Sequence, residues 1–208
     1  MEVSKHIKEY VERMIIPRYA HFDKAHREDH VRMVIERSLQ LAMKMLHLNC
    51  DMVYIASAFH DLGLTNGREK HHYYSRTILE NDNFVREHFT DEEIRLMGEA
   101  VEDHRASNKS KPRNDYGLVV AEADRLINPE TIVRRTVQYG LSNSPDFDRE
   151  EQYQRAKEHL SNKYGRNGYL KIWIPWSDNA AHLERLHELI ENEKQLRAIF
   201  DRIFAEET

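Results

Sequence analysis

His60 and Asp61 stand side by side at the end of the apolar run Val53-Tyr54-Ile55-Ala56-Ser57-Ala58-Phe59. A run this apolar reads as buried, and a buried imidazole beside a buried carboxylate must be paired, hydrogen-bonded or bound to a cation. Imidazole nitrogen and carboxylate oxygen together suit a divalent metal. A single His-Asp dipeptide arises by chance, so its weight depends on donors elsewhere. His30 lies at the edge of an apolar stripe that includes Val31, Val34, Ile35, Ser38 and Leu41. Asp124 lies beside the apolar face made by Val119, Val120, Ala123 and Ile127. Donors on separate helices that converge in a bundle interior are how helical proteins build metal sites. Neighbouring helical residues project about 100° apart, so His60 and Asp61 can share one cation only near a helix end.

The elements that must position these groups read as helices throughout. Ser4 is the expected N-cap of a first helix running to about Tyr19, bent or ended by Pro17. A second begins near Asp29. Asp51 is expected to cap a third, which carries His60 and Asp61 and stops at Gly63. A fourth carries His71, His72, Ser75, Ile78 and Leu79. Thr90-Asp91-Glu92-Glu93 is a capping-box start for a fifth, whose stripe of Ile94, Met97 and Val101 continues to His104. After a polar loop from Arg105 to Tyr116, a sixth spans Leu118 to Ile127. Further helices are expected from Pro129 to about Leu141 and from Asp148 to Tyr164, then a short extended stretch from Leu170 to Pro175. A last helix carries Leu186, Leu189, Leu196, Phe200 and Ile203, with Glu193 interrupting a seven-residue rhythm. That interruption favours packing on its own domain over a homodimer seam.

Composition sets outer bounds. With 208 residues, 40% apolar and 32% charged, the chain can bury a core of its own. Only 7 glycines and 5 prolines, with apolar residues at helical spacing, point to an all-α protein. A net charge of −5 with interspersed signs argues against nucleic acid as a partner. One cysteine, Cys50, excludes an intrachain disulfide and a Cys-rich zinc module. No secretory signal and no run of about 20 apolar residues is present, so a cytoplasmic protein without a membrane partner is expected. Histidine is the outlier, with 13 copies.

Three segments occur in order: Ala25-His26-Arg27-Glu28-Asp29-His30-Val31, Ala58-Phe59-His60-Asp61-Leu62-Gly63 and Ala121-Glu122-Ala123-Asp124-Arg125-Leu126. Together they resemble the HD superfamily of metal-dependent phosphohydrolases, with its pattern His … His-Asp … Asp, over roughly Arg18 to Leu141. The resemblance implies a single all-α domain, an HD helical bundle at about 18–141 with a helical extension at about 142–208. It implies that His30, His60, Asp61 and Asp124 hold one divalent ion (Mn, Fe, Co, Ni, Zn or Mg). His71 or His72, with His104, match positions that some members use for a second; spacing favours His71. With a single metal, His71 and His104 would instead touch the substrate phosphate. Asp61 or Asp124 could orient the attacking water. By the same resemblance, His26 in the opening segment would orient His30 from behind.

A phosphate also needs cations to hold it. Arg105, Lys109, Lys111 and Arg113 crowd the loop between His104 and Asp124, Arg125 follows a ligand position and Arg27 precedes one. Guanidinium forks fit phosphate oxygens. The expected activity is hydrolysis of a phosphomonoester or nucleotide phosphate by a metal-activated water, with a small phosphorylated substrate as partner. The family's cyclic-dinucleotide branch carries a lysine soon after His-Asp and a Gly-Tyr-Pro signature, and its alarmone branch carries Glu-Asp there; this chain has Leu62-Gly63-Leu64-Thr65 and neither signature. Two alternatives share the pattern: a nucleotide-binding HD protein without turnover, and a mixed-valent di-iron oxygenase with six ligands.

Overall fold

The computed structural model describes residues 2–22, 26–105, 108 and 110–208, and every regular element among them is helical. The chain forms two compact units, Met1–Arg125 and Leu126–Thr208. The sequence predicts one domain with its core extending to about residue 141. The division instead falls after Arg125 because the next helix packs on the elements that follow it.

In the first unit, α1 (Lys5–Tyr10) runs without a break into a π-helical turn, Val11–Ile15, and a 3₁₀ stretch, Ile16–His21. Then come α2 (Glu28–Ala42), α3 (Cys50–Phe59), a 3₁₀ turn Leu62–Asn66, α4 (His71–Glu80), α5 (Asn83–His88), α6 (Asp91–Asp103) and α7 (Asp115–Asp124). Every residue of α3 except Asp51 is buried. A helix apolar on all sides belongs in the middle, and α3 packs against α2, α4, α6 and α7. The core gathers around Ile55, Phe59, Val31, Met97, Val101 and Val120.

Helix starts follow local chemistry with two corrections. Asn49, not Asp51, caps α3: its side chain accepts the Asp51 N–H at 2.9 Å. The Asp51 carboxylate is thereby left for Ser4, whose N–H and hydroxyl both donate to it at 2.7 Å. Ser4 therefore straps the amino-terminal segment to α3 and makes no side-chain cap for α1. The short α5, capped by Asp82, was not anticipated; Tyr10 donates to Asp82 at 2.5 Å and stacks on Phe84 at 3.9 Å. The expected capping box of Thr90 and Glu93 opens α6.

The second unit comprises α8 (Pro129–Asn143), α9 (Arg149–Tyr164), α10 (Asp178–Glu191) and α11 (Glu193–Glu207). Asn128 caps α8 with Pro129 behind it, and Asp148 with Glu151 forms a capping box for α9. The stretch around Leu170–Pro175 is irregular, with no strand. The expected last helix is two helices, because Asn192 turns the chain and caps α11 by accepting the Gln195 N–H. Leu186, Leu189, Leu196, Phe200 and Ile203 remain buried within this unit. No helix among the described residues is long and apolar enough to cross a membrane.

Asp51→Ala should lower the unfolding free energy by about 1–3 kcal/mol, since it leaves the partly buried Ser4 N–H and hydroxyl without their acceptor. The N-cap at Asn49 stays intact, so far-ultraviolet circular dichroism should keep its native helical signal while the denaturation midpoint falls.

Candidate metal centre

Five elements bring six donors together. His30 comes from the first turn of α2. His60 and Asp61 lie just beyond the end of α3, His60 still helical and Asp61 turned away at φ −109°, ψ 2°. His71 is the first residue of α4, His104 follows α6 directly, and Asp124 is the last residue of α7. Their donor atoms form two triads, His30–His60–Asp124 and Asp61–His71–His104, each with all its atoms within 4.8 Å of one another.

Asp61 faces both groups. Its Oδ2 lies 3.2 Å from His60 Nε2 and 3.6 Å from His30 Nε2. Its Oδ1 lies 3.4 Å from His71 Nε2 and 3.5 Å from His104 Nε2. Asp124 Oδ1 is 3.2 Å from His30 Nε2 and 3.8 Å from His60 Nε2. His60, Asp61, His71 and His104 are buried, while His30 and Asp124 are partly open to solvent. The mouth of the site is therefore on the His30–Asp124 side of the cluster.

Ring orientation is fixed from behind. His60 Nδ1 donates to the Ser57 carbonyl at 2.7 Å, His71 Nδ1 to Arg68 at 2.8 Å and His104 Nδ1 to Val101 at 2.5 Å. With those protons committed to backbone carbonyls, each neutral ring turns an Nε2 lone pair inward. His71 and His104 Nε2 atoms then face each other at 3.3 Å. Two lone pairs make no hydrogen bond, so the contact requires a proton or a metal ion between them. The charges tell the same story. Burial disfavours ionisation of Asp61, yet the imidazoles of His60, His104 and His30 outweigh it and hold the carboxyl well below its ordinary range. Burial likewise opposes charge on His30, but Asp124 and Asp61 raise its pKa to about 9. The cluster compensates two carboxylates by drawing protons onto imidazoles; a divalent cation provides that compensation directly.

Gly63 determines whether His71 can reach the cluster. A Cβ there would collide with the backbone oxygen of His71 and the backbone nitrogen of Ser75. Its N–H donates to the buried Ser75 hydroxyl at 2.8 Å, holding α4 against the turn. Gly63 thus permits close approach; α3 has already ended at Phe59. Arg37 was also not anticipated: from α2 it donates to the Ala123 carbonyl at 3.2 Å, fixing the backbone beside Asp124.

Other sequence candidates separate. His72 is buried but belongs to neither triad; its ring lies 5.5 Å from that of His71 and its Nδ1 has no hydrogen-bond partner. His26 meets His30 edge-on at 5.7 Å, where it can limit the tilt of that ring. Arg105 is partly buried and donates to the Glu69 carbonyl at 2.7 Å, bridging the segments that carry His104 and His71. Arg113, expected at the substrate, is committed elsewhere: it forms a fork with Asp103 at 2.8 Å and reaches Glu102 at 3.0 Å. Arg125 is buried, so its guanidinium is not presented to solvent; Glu122 and Asp124 favour its charge against that burial. Arg27 is exposed and donates to the Phe22 carbonyl at 3.4 Å. Lys111 is exposed, and Lys109 lies outside the described residues.

Residues 27–128 match the model of the HD domain family. The match covers just under half of the chain and is consistent with an HD superfamily member. Members of that family are metal-dependent hydrolases as a rule, and the two triads are compatible with metal binding. No curated protein and no solved structure matches the chain.

Gly63→Ala should force α4 outward at a cost of about 1–3 kcal/mol, the usual range for overpacking. Because His71 travels with α4 and His30 and Asp124 do not, the variant should lose metal from the second triad before the first. Elemental analysis after dialysis should show that drop.

Proposed function

We propose that the chain is a phosphohydrolase acting on a phosphomonoester or nucleotide phosphate, with two divalent cations held by the triads and Asp61 between them. The single observation that carries this reading is the placement of Asp61, one oxygen toward each triad at matched distances. Four imidazoles and two carboxylates suit manganese, iron, cobalt, nickel or zinc better than magnesium, which favours all-oxygen shells. When bound, such ions lower the pKa of coordinated water and neutralise charge developing on phosphoryl oxygens.

The protein's own residues do the rest. His60, His71 and His104, oriented by backbone carbonyls, turn their Nε2 atoms inward without any help from a substrate. Such preorganisation avoids rearrangement during the reaction. Asp124, partly open to solvent at the mouth, is placed to orient an attacking water. Arg105, beside the second triad, forms no carboxylate pair among the described residues, and its remaining N–H groups suit a phosphate oxygen. The start of α4 adds to this. No side chain caps it and no acidic residue occupies its first turn, so its N–H groups and dipole favour an anion. Arg27 and Lys111 are exposed and can extend the contact to the rest of a substrate.

The same two triads also suit a di-iron oxygenase. Iron retained through purification, with oxygen uptake on turnover, would favour that reading; phosphate release under nitrogen favours hydrolysis.

Purified protein should contain one to two equivalents of a transition metal and release phosphate from at least one member of a panel of nucleotides and sugar phosphates. Asp61→Ala should lose both metal and phosphate release, whereas His187→Ala, on α10 beside Glu184, should lose neither. Native metal content in Asp61→Ala would end the proposal.

Arg105→Gln should raise KM about 10- to 100-fold, the equivalent of the roughly 1.5–3 kcal/mol of a charge-assisted hydrogen bond. Arg113→Gln, which breaks only the fork to Asp103 and Glu102, should leave KM within a factor of three, about 0.7 kcal/mol.

A further inference from the structure

Tyr19 reaches the metal centre from outside the segment that matches the HD family. It lies on the 3₁₀ stretch Ile16–His21, upstream of residues 27–128, and is wholly buried. Its hydroxyl donates to the Ala58 carbonyl at 2.8 Å and accepts the Asp61 N–H at 3.4 Å. These two backbone groups straddle His60. A carbonyl in the last turn of a helix lacks its ladder partner, and Asp61 has left helical geometry. One hydroxyl therefore ties the end of α3 to the residue just beyond it.

The path to this contact is built into the backbone. The π-helical turn Val11–Ile15 inserts extra residue length before Pro17, which lacks an N–H and opens the 3₁₀ stretch. π-turns inside helices are frequent at functional sites. Phe22 then braces the Tyr19 ring edge-on at 5.3 Å. The balance at Asp61 makes such a brace consequential. Its distances to the two triads differ by only tenths of an ångström, so a small rotation about its backbone favours one triad at the expense of the other.

We propose that Tyr19 is a positioning residue: its hydroxyl sets the direction in which Asp61 presents its two oxygens and so keeps both triads competent at once. The amino-terminal segment is then part of the metal centre as well as of the core. This inference rests on the metal-binding reading given above.

Manganese(II) binding to the full chain, followed by calorimetry and electron paramagnetic resonance well below the unfolding temperature, tests it. The wild type should take up two ions and give the spectrum of a coupled pair. Tyr19→Phe keeps the ring and its apolar contacts; it should bind the second ion at least ten-fold more weakly and show isolated manganese in place of the pair. Ile15→Val trims the same buried segment without touching the hydroxyl, and should lower the melting temperature while preserving both affinities and the coupled spectrum. The inference falls if Tyr19→Phe keeps wild-type affinities and the coupled spectrum, or if Ile15→Val loses them equally. Failure of the wild type to bind manganese or any other divalent ion would overturn the metal-binding reading and this one with it.

Discussion

Two carboxylates and four imidazoles occupy one largely buried pocket, and three of the rings already donate their Nδ1 protons to backbone carbonyls. That commitment leaves Nε2 lone pairs facing one another and facing anionic oxygens, an arrangement that a low-dielectric interior penalises unless positive charge enters. At His30 the neighbouring Asp124 and Asp61 carboxylates favour the charged imidazole against its burial. A metal ion satisfies every one of these donors together. The rest of the first unit can be understood as the framework that keeps the donors from relaxing apart.

That framework breaks ordinary helix rules where it meets the pocket. Helices α3 and α5 to α11 each begin with a side-chain cap; α1, α2 and α4 have none, and of these α2 and α4 deliver His30 and His71 from their first turns. The end of α3 is closed by a tyrosine hydroxyl from another segment. Departures from local preference cluster at functional sites because the geometry there is chosen for something other than stability. Gly63 belongs to the same pattern, since only the missing Cβ lets the start of α4 approach the turn after Asp61.

Much of this was legible in the sequence because it depends on residue type and helical spacing. The all-helical class follows from side chains read with a period of 3.6, the capping box at Thr90 from its Thr-x-x-Glu motif, and the gathering of His30, His60, Asp61, Asp124 and His104 with His71 or His72 from the three motif segments taken together. What escaped depends on partners distant in the chain. Asp51 looks like a cap until Ser4 claims it, and Arg113 looks available for phosphate until Asp103 and Glu102 saturate it. Tyr19 carries no local signal at all, since its partners are backbone groups some forty positions away. The boundary after Arg125 was missed for a related reason. Periodicity places α8 as a helix without saying which neighbours its apolar face will find.

The donors come from residues 30, 60, 61, 71, 104 and 124, so a cation held by them would connect α2, α3, α4, α6 and α7, elements that otherwise meet mainly through apolar contacts. An unfolded chain cannot assemble such a set, and a ligand that binds only the folded state adds its binding free energy to stability. Apolar packing alone would tolerate small shifts of one helix against another, because dispersion contacts are non-directional and can re-form. Six directional donors do not tolerate such shifts. The fold therefore needs anchors that set helix positions more sharply than packing does. The backbone carbonyls behind His60, His71 and His104, the Arg37 bond to Ala123 and the Ser75 bond to Gly63 are anchors of that kind. Each uses a polar group whose burial would otherwise be unfavourable, so the interactions that satisfy the interior also fix the geometry of the site.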